Sequence, residues 1–227
     1  VFGEPDVDIT KQHNGQMVVT IKGVDVYDPT TGQIRNSSTD DNGGRCHSFH
    51  TSSLVCGFQD DVEPVPVDGW THGSSQGPDD WAPAVFRGAH SPGNAWHAEG
   101  FDGFKDSFLA TPPFDIEVGD HFSFWHTFQL EKGYDGAVLE ISTSDGIQWN
   151  DLGPFVTRGG YVEIVSGSPL GDRMAWTGQR PETMTQVEVD LSSWAGPGRI
   201  IRFRMATDAS FADGFGWYID DAAVCHA

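Results

Sequence analysis

Ile200-Ile201-Arg202-Phe203-Arg204-Met205 alternates apolar and charged side chains. That period of two marks a strand with one face in a core and the other in water. The same alternation recurs in Val138-Leu139-Glu140-Ile141-Ser142 and Val187-Glu188-Val189-Asp190-Leu191. No 3.6-residue apolar stripe accompanies it, and 28 Gly and 13 Pro punctuate the chain too often for long helices. Short β-rich runs bounded by Gly, Asp, Asn and Pro predict an all-β fold, an antiparallel β-sandwich of jelly-roll type. The 227 residues suit one large all-β domain or one domain plus a small appendage, and 8 Trp with 15 Phe suffice for a core.

Outward from these strands, residues 1–44 read differently from residues 45–227. Met17-Val18-Val19-Thr20-Ile21 and Val24-Asp25-Val26-Tyr27 are strand-like, and Asp28-Pro29-Thr30-Thr31-Gly32 is a turn. Asn36 to Gly44 reads as a polar linker, so a small N-terminal β-hairpin-like segment precedes the main domain. Residues 69–100, rich in Gly, Pro, Ser, Asp and His, read as a long surface excursion pinned by Trp70, Trp81 and Trp96.

Composition narrows the partners. With 33 acidic against 13 basic side chains the formal charge is −20, which opposes nucleic acid and anionic membrane surfaces, both bound through clustered Lys and Arg. It suits hard cations, calcium above all, while a solvated acidic surface accounts for much of it. No stretch approaches the roughly 20 apolar residues of a membrane helix. Neither end has the pattern of a signal peptide, so a secreted form would be a mature fragment. Cys46 and Cys56 could close a short loop, with Cys225 free or pairing with one of them; one bridge suits an extracellular chain.

Several fragments form an ordered series: Phe108-Leu109-Ala110-Thr111-Pro112-Pro113-Phe114, Phe122-Ser123-Phe124-Trp125-His126, Gly133-Tyr134-Asp135-Gly136, Ala175-Trp176-Thr177-Gly178, Arg202-Phe203-Arg204 and Gly216-Trp217-Tyr218-Ile219-Asp220-Asp221. Over roughly residues 60–224 this series resembles the MAM-like jelly-roll module. Such modules are appended to secreted metallopeptidases of the immune inhibitor A and fungalysin types and to cell-surface proteins. Ser142-Thr143-Ser144-Asp145-Gly146 resembles a degenerate Asp-box hairpin, with Trp149 placed to cover it. Separately, Phe2-Gly3-Glu4-Pro5-Asp6 and Gly23 to Gly32 resemble a segment near the end of adenine-specific DNA methyltransferases, without any catalytic motif.

The module resemblance and the acidic balance together imply a structural calcium ion. The matched segments offer Glu131 and Asp135 on one loop and Asp220 and Asp221 near the final strand, with Asp102 and Asp106 able to complete a shell. Strand alternation lets only one of Asp220 and Asp221 point inward. Enzymatic motifs fare poorly. There is no His-Glu-x-x-His, and His47 and His50 beside Cys46 lack further clustered ligands. Gly73-Ser74-Ser75-Gln76-Gly77 matches Gly-x-Ser-x-Gly, but no helical run follows, and it reads as a flexible loop. Thr111-Pro112-Pro113-Phe114 imitates a methyltransferase motif with Thr111 in place of the amide or acid, and reads better as a Pro-Pro lead into an edge strand. Trp125, Trp149 and Trp217 read as core or loop pins, while Trp81 and Trp176 are the candidates for stacking on a ligand.

The resulting expectation is a non-catalytic, calcium-stabilised extracellular accessory or adhesion module. Its partners would be protein or glycan at the cell surface, or an attached catalytic domain. A carbohydrate-binding module of a secreted glycoside-active protein is the alternative, and part of a hydrolase ranks last.

Overall fold

The computed structural model describes strands at 7–13, 16–21, 24–27, 34–38 and 48–51, then residues 55–91, 93–179, 183–210 and 214–226, with side chains from 56 onward. Two compact units result, Val1–Leu54 and Val55–Ala227. The boundary expected near residue 44 lies inside the first of them. That first unit holds a three-stranded antiparallel sheet in the order Val7–His13, Gln16–Ile21, Ser48–Thr51, and a hairpin of Val24–Tyr27 with Ile34–Ser38. Two of these strands are the ones read from Met17–Ile21 and Val24–Tyr27. The side chains of Cys46, His47, His50 and the methyltransferase-like segment lie outside the described residues.

The second unit is an antiparallel β-sandwich. One sheet runs Asn150–Asp151, Gly136–Ser142, Gly196–Thr207, Lys105–Ala110, Thr71–Gln76, with Phe114–Ile116 also pairing to Gly196–Thr207. The other runs Val156–Arg158, Thr185–Asp190, Asp120–Gln129, Gly216–His226, Gly93–Ala98, Ala82–Phe86, with Val55–Asp60 also on Gly216–His226. Chain neighbours are seldom sheet neighbours, as jelly-roll crossovers require. The alternation carries the packing. Leu139, Ile141, Ile201 and Phe203 from one sheet meet Phe122, Phe124, Val187, Val189 and Trp217 from the other in one buried cluster. Each such side chain contributes about 1.5–3 kcal/mol by leaving water.

Two local expectations need correction. Residues 69–100 are not a surface excursion from the sandwich but part of it: Thr71–Gln76, Ala82–Phe86 and Gly93–Ala98 are strands of the two sheets. Thr71–Gln76 and Ala82–Phe86 lack apolar alternation because they are edge strands, each with one backbone edge left wet, whereas Gly93–Ala98 is an inner strand between Gly216–His226 and Ala82–Phe86. The tryptophan pins do hold, with Trp70 against Trp96 at 5.5 Å and Trp81 edge-on to Trp217 at 5.8 Å. The disulfide joins Cys56 to Cys225, not to Cys46. These two residues face each other across paired strands 169 positions apart in sequence, a neighbourhood that only the sheet register creates.

After Val55–Asp60, the first strand of the sandwich, the chain continues through a loop organised by Asp60, which is 2% exposed. Its carboxylate accepts the Val62 N–H at 2.9 Å, the Val67 N–H at 3.3 Å and the Trp70 indole N–H. Those bonds hold Val62, a β-branched residue, at φ 62° with its side chain buried. Replacing Asp60 by Ala orphans three donors and is expected to cost about 2–3 kcal/mol in urea unfolding, whereas a loss below about 0.5 kcal/mol would contradict this role.

Candidate metal centre

Between Asp120–Gln129 and Gly136–Ser142 the chain turns through Glu131-Lys132-Gly133-Tyr134-Asp135. The Asp135 N–H donates to the Glu131 carbonyl at 3.0 Å, and Gly133 takes φ 80°, a conformation that favours glycine. Asp135 is thereby folded under the turn, 1% exposed, where its carboxylate accepts the Asp208 N–H at 3.0 Å and the Glu131 N–H at 3.4 Å. Register brings Asp208 there. Gly136 pairs with Ala206, so the residue before one strand meets the residue after the other.

One carboxylate oxygen from each of Glu131, Asp135 and Asp208 lies within 4.8 Å of the others. Ser210 bridges two of them, its hydroxyl donating to Glu131 at 3.0 Å and to Asp208 at 2.6 Å. Burial, then the charges of Asp208 and Glu131, push the Asp135 carboxyl up to about 6. Three oxygen donors, one of them a carboxylate that burial and then its two acidic neighbours make costly to ionise, are a set that a hard cation would relieve.

The other expected ligands are elsewhere. Asp106 holds Arg204 through two bonds of 2.7 and 2.9 Å and accepts the Ser75 hydroxyl at 2.6 Å. Burial would raise this carboxyl, but the hydrogen bonds from Arg204 and Ser75 outweigh it and hold Asp106 low. It is a structural ion-pair residue. Asp102 is exposed. Asp220 and Asp221 form a separate acidic pair at a break in strand alternation, where Asp221 takes φ 49°. There Asp220, 1% exposed, accepts the Ser91 N–H at 2.9 Å, and Asp221 pairs with His90. Burial, then the charge of Asp221, lifts Asp220 to about 6 as well. Asp208 was missed as a ligand: its signal is the strand it terminates, which becomes informative only once the partner strand is known.

Trp81 and Trp176 are not ligand platforms. They are 2% and 0% exposed, and the Trp176 indole donates to the Gly159 carbonyl at 2.8 Å. Alternation could not separate these rings from surface ones because neither sits in a long patterned strand. Of the half-buried Trp rings, Trp70 and Trp194 pack against the core, whereas Trp125 stacks on His90 at 3.8 Å and Trp149 has the Arg202 guanidinium 4.1 Å above it. Trp149 also borders the Ser142–Gly146 hairpin, whose Asp145 and Gly146 take φ 53° and 80°. Gly73–Gly77 is no flexible loop: Ser74 lies on an edge strand and donates to the carbonyls of Gln76 and Gly77 at 2.6 and 3.0 Å. Thr111 caps a strand instead of a substrate, its hydroxyl accepting the Ile201 N–H at 3.1 Å.

No family model and no curated protein matches the chain. Solved structures do. The K3 cleaved adhesin domain of Lys-gingipain from Porphyromonas gingivalis aligns with a TM-score of 0.50 at 16% identity, covering 77% of this chain and 100% of that one. The likeness is one of fold. The K1 domain of the same protein gives 0.47 at 16% identity over 75% of this chain and 98% of its own. A xylan-binding domain from Paenibacillus barcinonensis gives 0.44 at 12% identity, over 78% and 99%. Among the described residues no helix is long and apolar enough to cross a membrane.

Proposed function

We propose that the β-sandwich is a non-catalytic, calcium-stabilised extracellular module of MAM-like type, an accessory or adhesion unit for a secreted peptidase or cell-surface assembly. The observation that carries this reading is the Glu131–Asp135–Asp208 cluster. Calcium held by these carboxylates would tie the turn after Asp120–Gln129 to the end of Gly196–Thr207, stabilising the folded state by preferential binding. Supporting it are the ordered resemblance over residues 60–224, the shared fold with a module described as an adhesin domain, and a disulfide that suits an oxidising compartment. A carbohydrate-binding role would fall to Trp125 and Trp149, whose rings already stack on His90 and Arg202, so the protein-binding form is preferred.

Calorimetric titration of the chelator-treated chain with calcium chloride is the test, with magnesium chloride as control. One saturable site is expected, weakened at least about tenfold by Asp208→Asn and by Asp135→Asn, since each removes an anionic ligand. Absence of calcium binding to the parent chain would remove the metal from this reading.

A further inference from the structure

A hairpin of two short strands, Glu163–Val165 and Arg173–Ala175, is seated on the turn that carries Glu131 and Asp135. Both peptide groups of Gly133, in the middle of that turn, are spent on the hairpin segment. The Ser166 N–H, next after the first strand, donates to the Gly133 carbonyl at 3.0 Å. Thr177, shortly after the second strand, grips from the other end. Its hydroxyl accepts the Gly133 N–H at 3.0 Å and donates to the Glu131 carbonyl at 3.1 Å. Thr177 is 3% exposed, so both bonds are shielded from water. Lys132 adds an exposed ion pair with Glu163 at 3.5 Å. The packing beside the turn is close: a Cβ on Gly136 would lie 3.0 Å from Ala175 and Leu170 and 3.1 Å from Val165.

The hairpin leans on this seat. Its strands have three residues each, and a two-stranded hairpin by itself is marginal in water. Val165, Leu170 and Ala175 pack on Val138 and Ala206 in a small cluster apart from the main core, while Ile164 and Met174 are exposed. The ion pairs of Arg173 with Glu140 and Asp151 hold the second strand, which leaves Ser166 and the end of the first strand resting on the turn. Ionised carboxylates on that turn push apart by themselves and are drawn together by a cation between them. Their spacing is set by the backbone from Glu131 to Asp135, the same backbone that Ser166 and Thr177 grip.

We propose that the hairpin and the metal turn form one coupled element: an ion in the Glu131–Asp135–Asp208 cluster orders residues 163–177, and Thr177 in return presets the turn for the ion. This rests on the calcium reading and names the regulation of its site. Thr177 is a positioning residue that acts through the backbone of Glu131 and Gly133. By linkage, the factor that calcium adds to hairpin closure is the factor that a closed hairpin adds to calcium affinity.

Hydrogen exchange on the isotopically labelled full chain, in calcium chloride and in chelator, is run beside calorimetric titration of calcium. Calcium is expected to slow exchange of the Ser166 amide at least about tenfold, and the amides of the edge strand Ala82–Phe86 by less than about twofold. Equal slowing at both would mean general stabilisation and overturn the proposal. Thr177→Val removes the hydroxyl and keeps the volume. It should weaken calcium at least about tenfold and abolish the slowing at Ser166, and Thr177→Ser should restore both. Titrations are made well below each variant's melting temperature, so parental calcium affinity in Thr177→Val would reduce the residue to a structural role and overturn its positioning one. Calcium binding without slowing at Ser166 overturns the coupling while the metal reading stands, and no calcium binding removes both.

Discussion

In chelator, the melting temperature of the sandwich is expected to rise by roughly 4–8 °C as the pH is lowered from about 7 to 5. Asp135 and Asp220 both have folded-state values of about 6, against about 3.9 for an unfolded Asp. A carboxyl raised by folding binds its proton more tightly in the native state. Its stabilisation is therefore complete below the unfolded value and lost as pH climbs through the folded one. Each is expected to return about 1 kcal/mol between pH 7 and 5. Asp106 and Asp190, shifted the other way, titrate below this window. Saturating calcium should change the sign of the Asp135 part, because the ion holds that carboxylate ionised and protons then compete with it. Asp220→Asn should remove the other part in either condition. Differential scanning calorimetry reads all three. Identical pH profiles with and without calcium would argue against the metal centre, and a flat profile in chelator against both raised carboxyls.

Replacing Glu140 by Ala is expected to cost about 3–5 kcal/mol in urea unfolding, the loss typical when one member of a buried charge network is deleted. Glu140 is 4% exposed and neutralises a cluster of guanidiniums, with Arg173 at 2.7 Å, Arg202 at 2.6 Å and Arg204 at 3.7 Å. Without it Arg202 is left between Trp149 and Phe108 with no carboxylate at hydrogen-bond distance, while Arg204 keeps Asp106 and Arg173 keeps Asp151. The penalty is that of the stranded cation, so the double variant Glu140→Met with Arg202→Met should recover much of the loss. A single-variant cost under about 1 kcal/mol would mean that water already solvates these charges.

The alternation in Val138–Ser142 and Ile200–Met205 was enough to name the architecture, because a half-buried strand must segregate its side chains by parity. It also put Glu140, Arg202 and Arg204 each on the face of its own strand turned away from the core, and the pairing of Glu140 with Arg202 brings them together. What parity cannot supply is register. Asp208 joins Asp135 only because Gly136 lies opposite Ala206, and Cys225 meets Cys56 only because the sandwich's last strand, Gly216–His226, returns beside its first, Val55–Asp60. Edge strands were hidden for a related reason. Thr71–Gln76 has no apolar face to advertise, and only its pairing with Lys105–Ala110 makes it a strand. Asp220 and Asp221 broke the parity argument itself, since the positive φ at Asp221 inserts an extra residue into the alternation.

The bond between Cys56 and Cys225 lies one residue inside Val55 and one residue inside His226, the two limits of the strands it connects. Were the sandwich strung between neighbours and pulled, tension arriving at one limit would cross to the other through a single covalent link. The residues enclosed by that link would carry almost none of the load. The module would then behave in a tethered array as an inextensible bead, keeping its surface intact under shear while any stretching fell on the segments to either side.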